Sequence, residues 1–207
     1  MTPYRIHDMC APLLAVGKRR DTIVPLYTQF SALWFAYPLF GNFTCMNVLD
    51  IIKREHREVS ALFDEAKKCD PGDKQIHDLA REIEQKLSTH LSIEERLFYS
   101  QLRDRAEEQD ERVEMFEAYT EHAAARSLME MLKSGRKPDE KFKAELQVLG
   151  ENVAHHVKEE ESTVFGIARE YLDKEELDEI GAAWEKAKAR KKSVRGTTAA
   201  PKAKARR

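Results

Sequence analysis

His90-Leu-Ser-Ile-Glu94-Glu-Arg-Leu-Phe-Tyr99 is answered 66 residues later by His156-Val-Lys-Glu-Glu160-Glu-Ser-Thr-Val-Phe165, with a histidine, two consecutive glutamates and a closing aromatic in the same places. Each stretch also has a histidine 34 residues upstream, His56 for the first and His122 for the second. The same step superimposes Glu55 on Glu121, Leu62 on Leu128, Asp73 on Asp139, Leu87 on Val153, Glu95 on Glu161 and Arg103 on Arg169. Histidine is scarce, seven in the chain, so four in register mark an internal duplication.

Around these stretches the apolar residues recur at helical spacing. Val48, Ile51, Ile52, Val59, Leu62, Phe63 and Ala66 form the first stripe, opened by Asn47 and Asp50 as a capping pair. Cys69-Asp-Pro-Gly-Asp73 ends it, and a second helix carries Ile76, Leu79, Ile83, Leu87, Leu91, Leu97 and Leu102. A polar break near Gln109 and Asp110 leads to the third, with Val113, Phe116, Tyr119, Ala123, Leu128 and Leu132. Ser134-Gly-Arg-Lys-Pro138 reads as a loop, and Asp139 caps a fourth helix carrying Phe142, Leu146, Leu149, Val153, Val157 and Val164. Four long helices with short connections must alternate in direction, which predicts an all-α, up-down-up-down four-helix bundle. Asp173 and Glu176 form a further capping pair for a shorter fifth helix to about Lys188, with Leu177, Ile180 and Trp184 on the face that packs.

The 207 residues suit one domain with appendages: 1–45 as a poorly structured extension, 46–189 as bundle and appended helix, and 190–207 as a basic, disordered tail. Residues 1–45 carry four prolines and no charge between Asp21 and Asp50. That run is long enough to span a membrane, but Pro25, Pro38 and six polar residues interrupt it, and no small-residue pattern closes a signal peptide. A leader ahead of a start at Met46 is the preferred reading, without a membrane anchor. Cys10, Cys45 and Cys69 are odd in number and form no CxxC pair, so neither a disulfide framework nor a thiolate zinc site is indicated, and a reducing cytoplasm is the natural reading. The net charge is −2, yet Lys186–Arg207 holds ten Lys and Arg and no acid, leaving about −12 on the remainder. Such a tail can hold phosphate backbone by charge alone, but no aromatic is interleaved to stack on bases, so nucleic acid is a disfavoured partner.

The chemistry lies in the duplicated pairs. Residues four apart share a helix face, so His90 with Glu94, and His156 with Glu160, each direct two donors at one point in the core. His56 and His122 come from the other two helices. In a bundle, duplication becomes a two-fold axis, and six donors meet around it. Two metals sharing Glu94 and Glu160, with two histidines each, satisfy all six and leave the metals unsaturated. Imidazole with carboxylate and no thiolate suits iron or manganese, and an open site is expected to take dioxygen, peroxide, nitric oxide or a bridging hydroxide.

These residues resemble the hemerythrin-like, or HHE cation-binding, family over residues 47 to about 172, through His56, His90-x-x-x-Glu94-Glu, Glu121-His122 and His156-x-x-x-Glu160-Glu. The resemblance implies a four-helix bundle with a non-haem di-iron centre on His56, His90, Glu94, His122, His156 and Glu160. Oxygen-carrying members use a further histidine one turn after the third-helix ligand, where this chain has Arg126. That departure argues against reversible oxygen carriage and fits bacterial relatives to which sensing, iron handling and defence against oxidants or nitric oxide are ascribed.

Other polar residues are weighed against plainer roles. His7 and His77 read as surface residues, and His155, about 100° around the helix from His156, as peripheral to the site. Glu95 and Glu161 could add a metal bond, though a solvated face is preferred; Tyr99 and Tyr119 could hydrogen-bond near the site or simply pack. The favoured function is a module that binds or senses dioxygen or a related molecule, or handles iron. The alternatives are a di-iron enzyme that decomposes peroxide or reduces nitric oxide, and a nucleic-acid-associated protein acting through its basic tail.

Overall fold

The computed structural model describes residues 46–132 and 137–197, with side chains as far as Lys191. The expected leader, the loop residues 134–136 and the end of the tail lie outside the described residues. The described elements are α1 (Val48–Lys68), α2 (Lys74–Glu94), α3 (Ser100–Arg103), α4 (Gln109–Leu132), α5 (Glu140–Glu159), α6 (Phe165–Tyr171) and α7 (Lys174–Thr197). One wide π turn, Glu95–Tyr99, joins α2 to α3, and another, Glu160–Val164, joins α5 to α6, so each pair runs on as a single rod. Among the described residues no helix is long and apolar enough to cross a membrane.

The helix starts follow from local chemistry. The Asn47 side chain accepts from the Leu49 N–H at 2.9 Å, Asp73 from Gln75 at 2.9 Å, and Asp139 from Phe142 at 2.9 Å, each satisfying a donor that the first helical turn leaves open. At α7 the capping is reciprocal: Glu176 N–H donates to Asp173, and Asp173 N–H donates to Glu176, both at 2.9 Å. Gly72, at φ 96°, makes the left-handed turn between α1 and α2 that a side chain would resist. The break after the second rod comes a few residues before the expected one, since α3 ends at Arg103.

The packing closes a four-sided bundle: α1 lies against α2 and α5, and α4 against the same two. Its apolar core is split in two. One cluster holds Ile51, Ile52, Phe98, Leu102, Met115, Phe165 and Trp184; the other holds Phe63, Ile76, Ile83, Leu91, Met129, Leu146 and Leu149. Between them lies a buried polar layer of Glu55, His56, His90, Glu94, His122, His156 and Glu160. Unpaired polar groups at that depth are expensive, so the layer needs a compensating reason to exist.

The fifth helix is longer than expected, running to Thr197 rather than ending near Lys188. Its extension, residues 189–197, is rich in Lys and Arg, which favour helix, and the helix ends just past Gly196. Leu177 and Trp184 are buried and Ile180 half-buried, on the face expected to pack; α7 rests on α1 and α2. Gly181 sits where a β-carbon would run into the carbonyl of Met46, so its lack of a side chain permits this approach.

Candidate metal centre

All six residues expected to hold metal are in the polar layer, each at most 6% exposed. His56 comes from α1, His90 and Glu94 from α2, His122 from α4, His156 from α5, and Glu160 from the π turn that continues α5. Five of them gather as two overlapping groups, His56–His90–Glu94 and Glu94–His122–His156, with ligand atoms within 4.8 Å of one another in each. Glu94 Oε2 lies 3.3 Å from Nε2 of both His90 and His122. Glu160 Oε2 lies 3.1 Å from Nε2 of His56 and 3.9 Å from that of His156. Each carboxylate therefore spans one histidine of each half.

The atoms at the centre are poorly satisfied by the protein itself. Nε2 of His56 and His90, both oxygens of Glu94 and Oε2 of Glu160 are buried without a hydrogen-bond partner. The His56–Glu160 pair is close but lacks hydrogen-bond geometry. His122 and His156 bring their Nε2 atoms to 3.1 Å, two sites that both seek a proton or a cation. A buried unmet polar group costs about 1–3 kcal/mol. Cations between the imidazoles and the carboxylates would satisfy them together, so the donor set fits a metal.

The electrostatics point the same way. Burial, and next the facing Glu160, push the Glu94 carboxyl well above its ordinary range. Burial also works against ionisation of Glu160, but the close approach of His56, with further help from the charge of His156 and His90, holds it well below that range. Burial depresses His90, and brings His122 down to about 4, favouring the neutral imidazole a metal needs. His56 is opposed by burial but raised overall by Glu160 and Glu161.

A ring of four further glutamates orients the imidazoles. Nδ1 of His90 pairs with Glu55 at 2.9 Å, His156 with Glu121 at 2.8 Å, His122 with Glu95 at 2.9 Å, and His56 with Glu161 at 3.0 Å. A carboxylate at Nδ1 favours the tautomer that carries its proton there, leaving Nε2 free for a metal. The ring obeys the duplication: stepping by 66 residues exchanges Glu55–His90 with Glu121–His156, and Glu95–His122 with Glu161–His56. Glu95 and Glu161, 25% and 33% exposed, thus keep part of each side chain in solvent and turn one carboxylate oxygen to an imidazole Nδ1. Glu55 and Glu121 have only a faint sequence signal, a glutamate directly before His56 and His122 in both halves.

The π turns explain how adjacent glutamates serve different partners. An i→i+5 turn takes an extra residue, and such bulges commonly mark functional positions in helices. Here they fall directly beyond Glu94 and at Glu160, where the chain must present Glu94 to the centre and Glu95 to His122, and likewise Glu160 and Glu161. Phe98 and Tyr99, consecutive residues, are both fully buried as a result.

Several neighbours break the symmetry. Tyr99 donates to Glu160 Oε1 at 3.0 Å and stacks on His122; its duplicate, Phe165, has no hydroxyl to give. Tyr119 donates to the backbone carbonyl of Glu95 at 3.4 Å, so it supports the π turn. Arg126, where oxygen carriers resemble one another in having histidine, donates to Glu95 at 2.7 Å and so backs the carboxylate that orients His122. His155 is exposed and lies 3.3 Å from Glu121, outside the centre as expected. His77 is half-buried rather than a surface residue, because α2 turns its ring onto Phe142 of α5, with centroids 4.7 Å apart. Beside the imidazoles a cavity of about 10 Å³, lined with Val59, Leu87, Leu91, Ala125, Asn152, Val153 and Val157, is near the size of a single water.

Comparison with known proteins agrees with this architecture. Residues 47–168 match the family described as hemerythrin HHE cation binding domain. A solved hemerythrin HHE cation binding domain-containing protein from Mycobacterium kansasii, a homolog of Rv2633c, superimposes with a TM-score of 0.60 at 22% identity, covering 73% of this chain and 89% of that one. A curated relative from Nostoc sp. (strain PCC 7120 / SAG 25.82 / UTEX 2576), named DNA nickase, is 29% identical over 145 residues, which are 70% of this chain but 40% of the relative. The chain thus spans about two-fifths of that protein's length. With more than half its residues matched, the chain belongs to the hemerythrin HHE cation-binding domain family.

Proposed function

We propose that His56, His90, Glu94, His122, His156 and Glu160 hold a pair of iron ions, manganese being the alternative, and that the protein binds or senses dioxygen, peroxide or nitric oxide, or handles iron, in a reducing cytoplasm. The observation that carries this reading is the meeting of four imidazoles on two shared, buried carboxylates whose inner atoms lack protein partners. Iron supplies redox chemistry and open positions for a small ligand. The chain's residues supply the rest: Glu94 and Glu160 keep two cations paired, the outer glutamates orient the imidazoles, and the surrounding apolar clusters limit access by water. The small size and largely apolar lining of the adjacent cavity suit a diatomic or peroxide better than an organic substrate. Metal analysis of the purified protein, with optical spectra of its reduced form before and after oxygen or nitric oxide, tests this. Two irons and a new charge-transfer band are expected; metal-free protein or an unchanged spectrum rejects it.

The name of the Nostoc relative and the basic run from Lys186 favour a second reading, association with DNA. Binding through that run would weaken steeply with salt. Duplex DNA binding measured from about 50 to 200 mM salt, with and without residues 190–207, separates the tail from the bundle. Salt-insensitive binding, or none, rejects this reading.

A further inference from the structure

α7 lies beyond the residues that match the family, yet it reaches the metal centre. Trp184 is fully buried, and its indole N–H donates to Glu55 Oε1 at 3.1 Å. Lys188 donates to the same oxygen at 2.5 Å. The other oxygen of Glu55 holds Nδ1 of His90 at 2.9 Å, and the Trp184 ring lies edge-on to that imidazole, 5.4 Å between centroids. A continuous chain of contacts therefore runs from α7 through Glu55 to His90.

The other half of the duplication is built differently. Glu121, the counterpart of Glu55, holds His156 on one oxygen but meets exposed His155 with the other. The placement of α7 against the first half is fixed by more than one contact. Gly181 permits close approach to Met46, Glu185 pairs with Arg54 at 2.7 Å, and Glu176 pairs with Arg105 at 2.8 Å.

We propose that Trp184 and Lys188 are positioning residues that make the His56–His90–Glu94 position the tighter of the two metal positions. This rests on the two-metal reading above. Two opposing effects need weighing. Lys188 draws negative charge from Glu55, weakening its hold on the His90 proton and making the imidazole a poorer donor. Against this, two donors on one oxygen lock the carboxylate, and the carboxylate locks the ring with Nε2 inward. Lys188 is 32% exposed, so solvent screens its charge, whereas the orientation it imposes is not screened. Loss of such outer contacts commonly weakens metal binding 10–100-fold, so orientation prevails.

The experiment is a cobalt(II) titration of metal-free, full-length protein, followed by absorption of the bound ion, with helicity and thermal midpoint recorded on each metal-free variant. Wild type is expected to show two binding steps. Lys188→Met and Trp184→Phe should each weaken the tighter step by about tenfold or more and leave the weaker step in place, while Lys188→Arg restores most of the loss. Glu176→Gln, which loosens the start of α7 without touching Glu55, should leave both steps unchanged. Unaltered steps in the Lys188 and Trp184 variants overturn the proposal, as does an equal loss in Glu176→Gln or a fall of both steps together. Failure of wild type to take any metal overturns the two-metal reading itself, and this inference with it.

Discussion

Tyr99 donates its hydroxyl to Glu160 at 3.0 Å across the centre, while the residue related to it by the duplication, Phe165, leaves both oxygens of Glu94 without a hydrogen bond. Two shared carboxylates of one origin thus sit in unequal surroundings. One is an anion held by His56 and Tyr99; the other is pushed by burial and its neighbour towards the neutral acid.

Tyr99→Phe equalises the two halves. It removes a buried hydrogen bond to a charged acceptor, and metal-free protein should lose about 1.5–3 kcal/mol of stability. Urea unfolding at neutral pH measures this, and an unchanged midpoint would show that the hydroxyl contributes nothing.

Glu94→Met should act in the opposite direction on the metal-free protein. The apolar side chain has similar length and leaves no unmet oxygens, and since an unmet buried polar group costs about 1–3 kcal/mol, the exchange should be neutral or stabilising by up to that amount. The same variant should lose paired metal binding. Thermal unfolding without metal, alongside metal analysis, checks both halves of the expectation; a strongly destabilised metal-free variant contradicts it.

Glu95→Gln and Glu161→Gln remove charge from the groups at Nδ1 of His122 and His56 while keeping their shape. Metal affinity should fall by about 10–100-fold with helicity intact. Competition against a chelator of known affinity gives the value, and undiminished affinity would mean that these carboxylates do not orient the imidazoles.

Metal-free protein should be sensitive to acid. Burial opposes ionisation of Glu55 and Glu95, but His90 and Lys188 bring the first down to about 2, and His122 and Arg126 bring the second to about 2. Because both lie below the ordinary value of 4.5, their stabilisation is complete above that pH and is lost as pH falls from about 4.5 towards 2. Denaturant midpoints measured across this window should decline, and should decline less in Glu55→Gln.

Gly181→Ala tests the seating of α7. The added carbon meets the Met46 carbonyl, a backbone atom that cannot swing aside, so a loss of about 1–3 kcal/mol is expected. Unfolding without any shift in midpoint would indicate that α7 does not rest there as described.

The sequence by itself determined the bundle and the six inward-facing donors, because helical spacing and a 66-residue repeat constrain which residues can share a face and which faces must meet. It also located the helix starts at Asn47, Asp73, Asp139 and Asp173, since capping is a matter of a few neighbouring atoms. Only the tertiary structure decided which carboxylate orients which imidazole. Glu95 and His122 lie 27 residues apart, and Glu161 and His56 105 apart, on different elements, so no local pattern pairs them. The π turns that make those pairings reachable left no periodic trace, and the partnership of Glu55 with Trp184 and Lys188 needed α7 to fold back over α1, a choice made by packing over more than a hundred residues of chain.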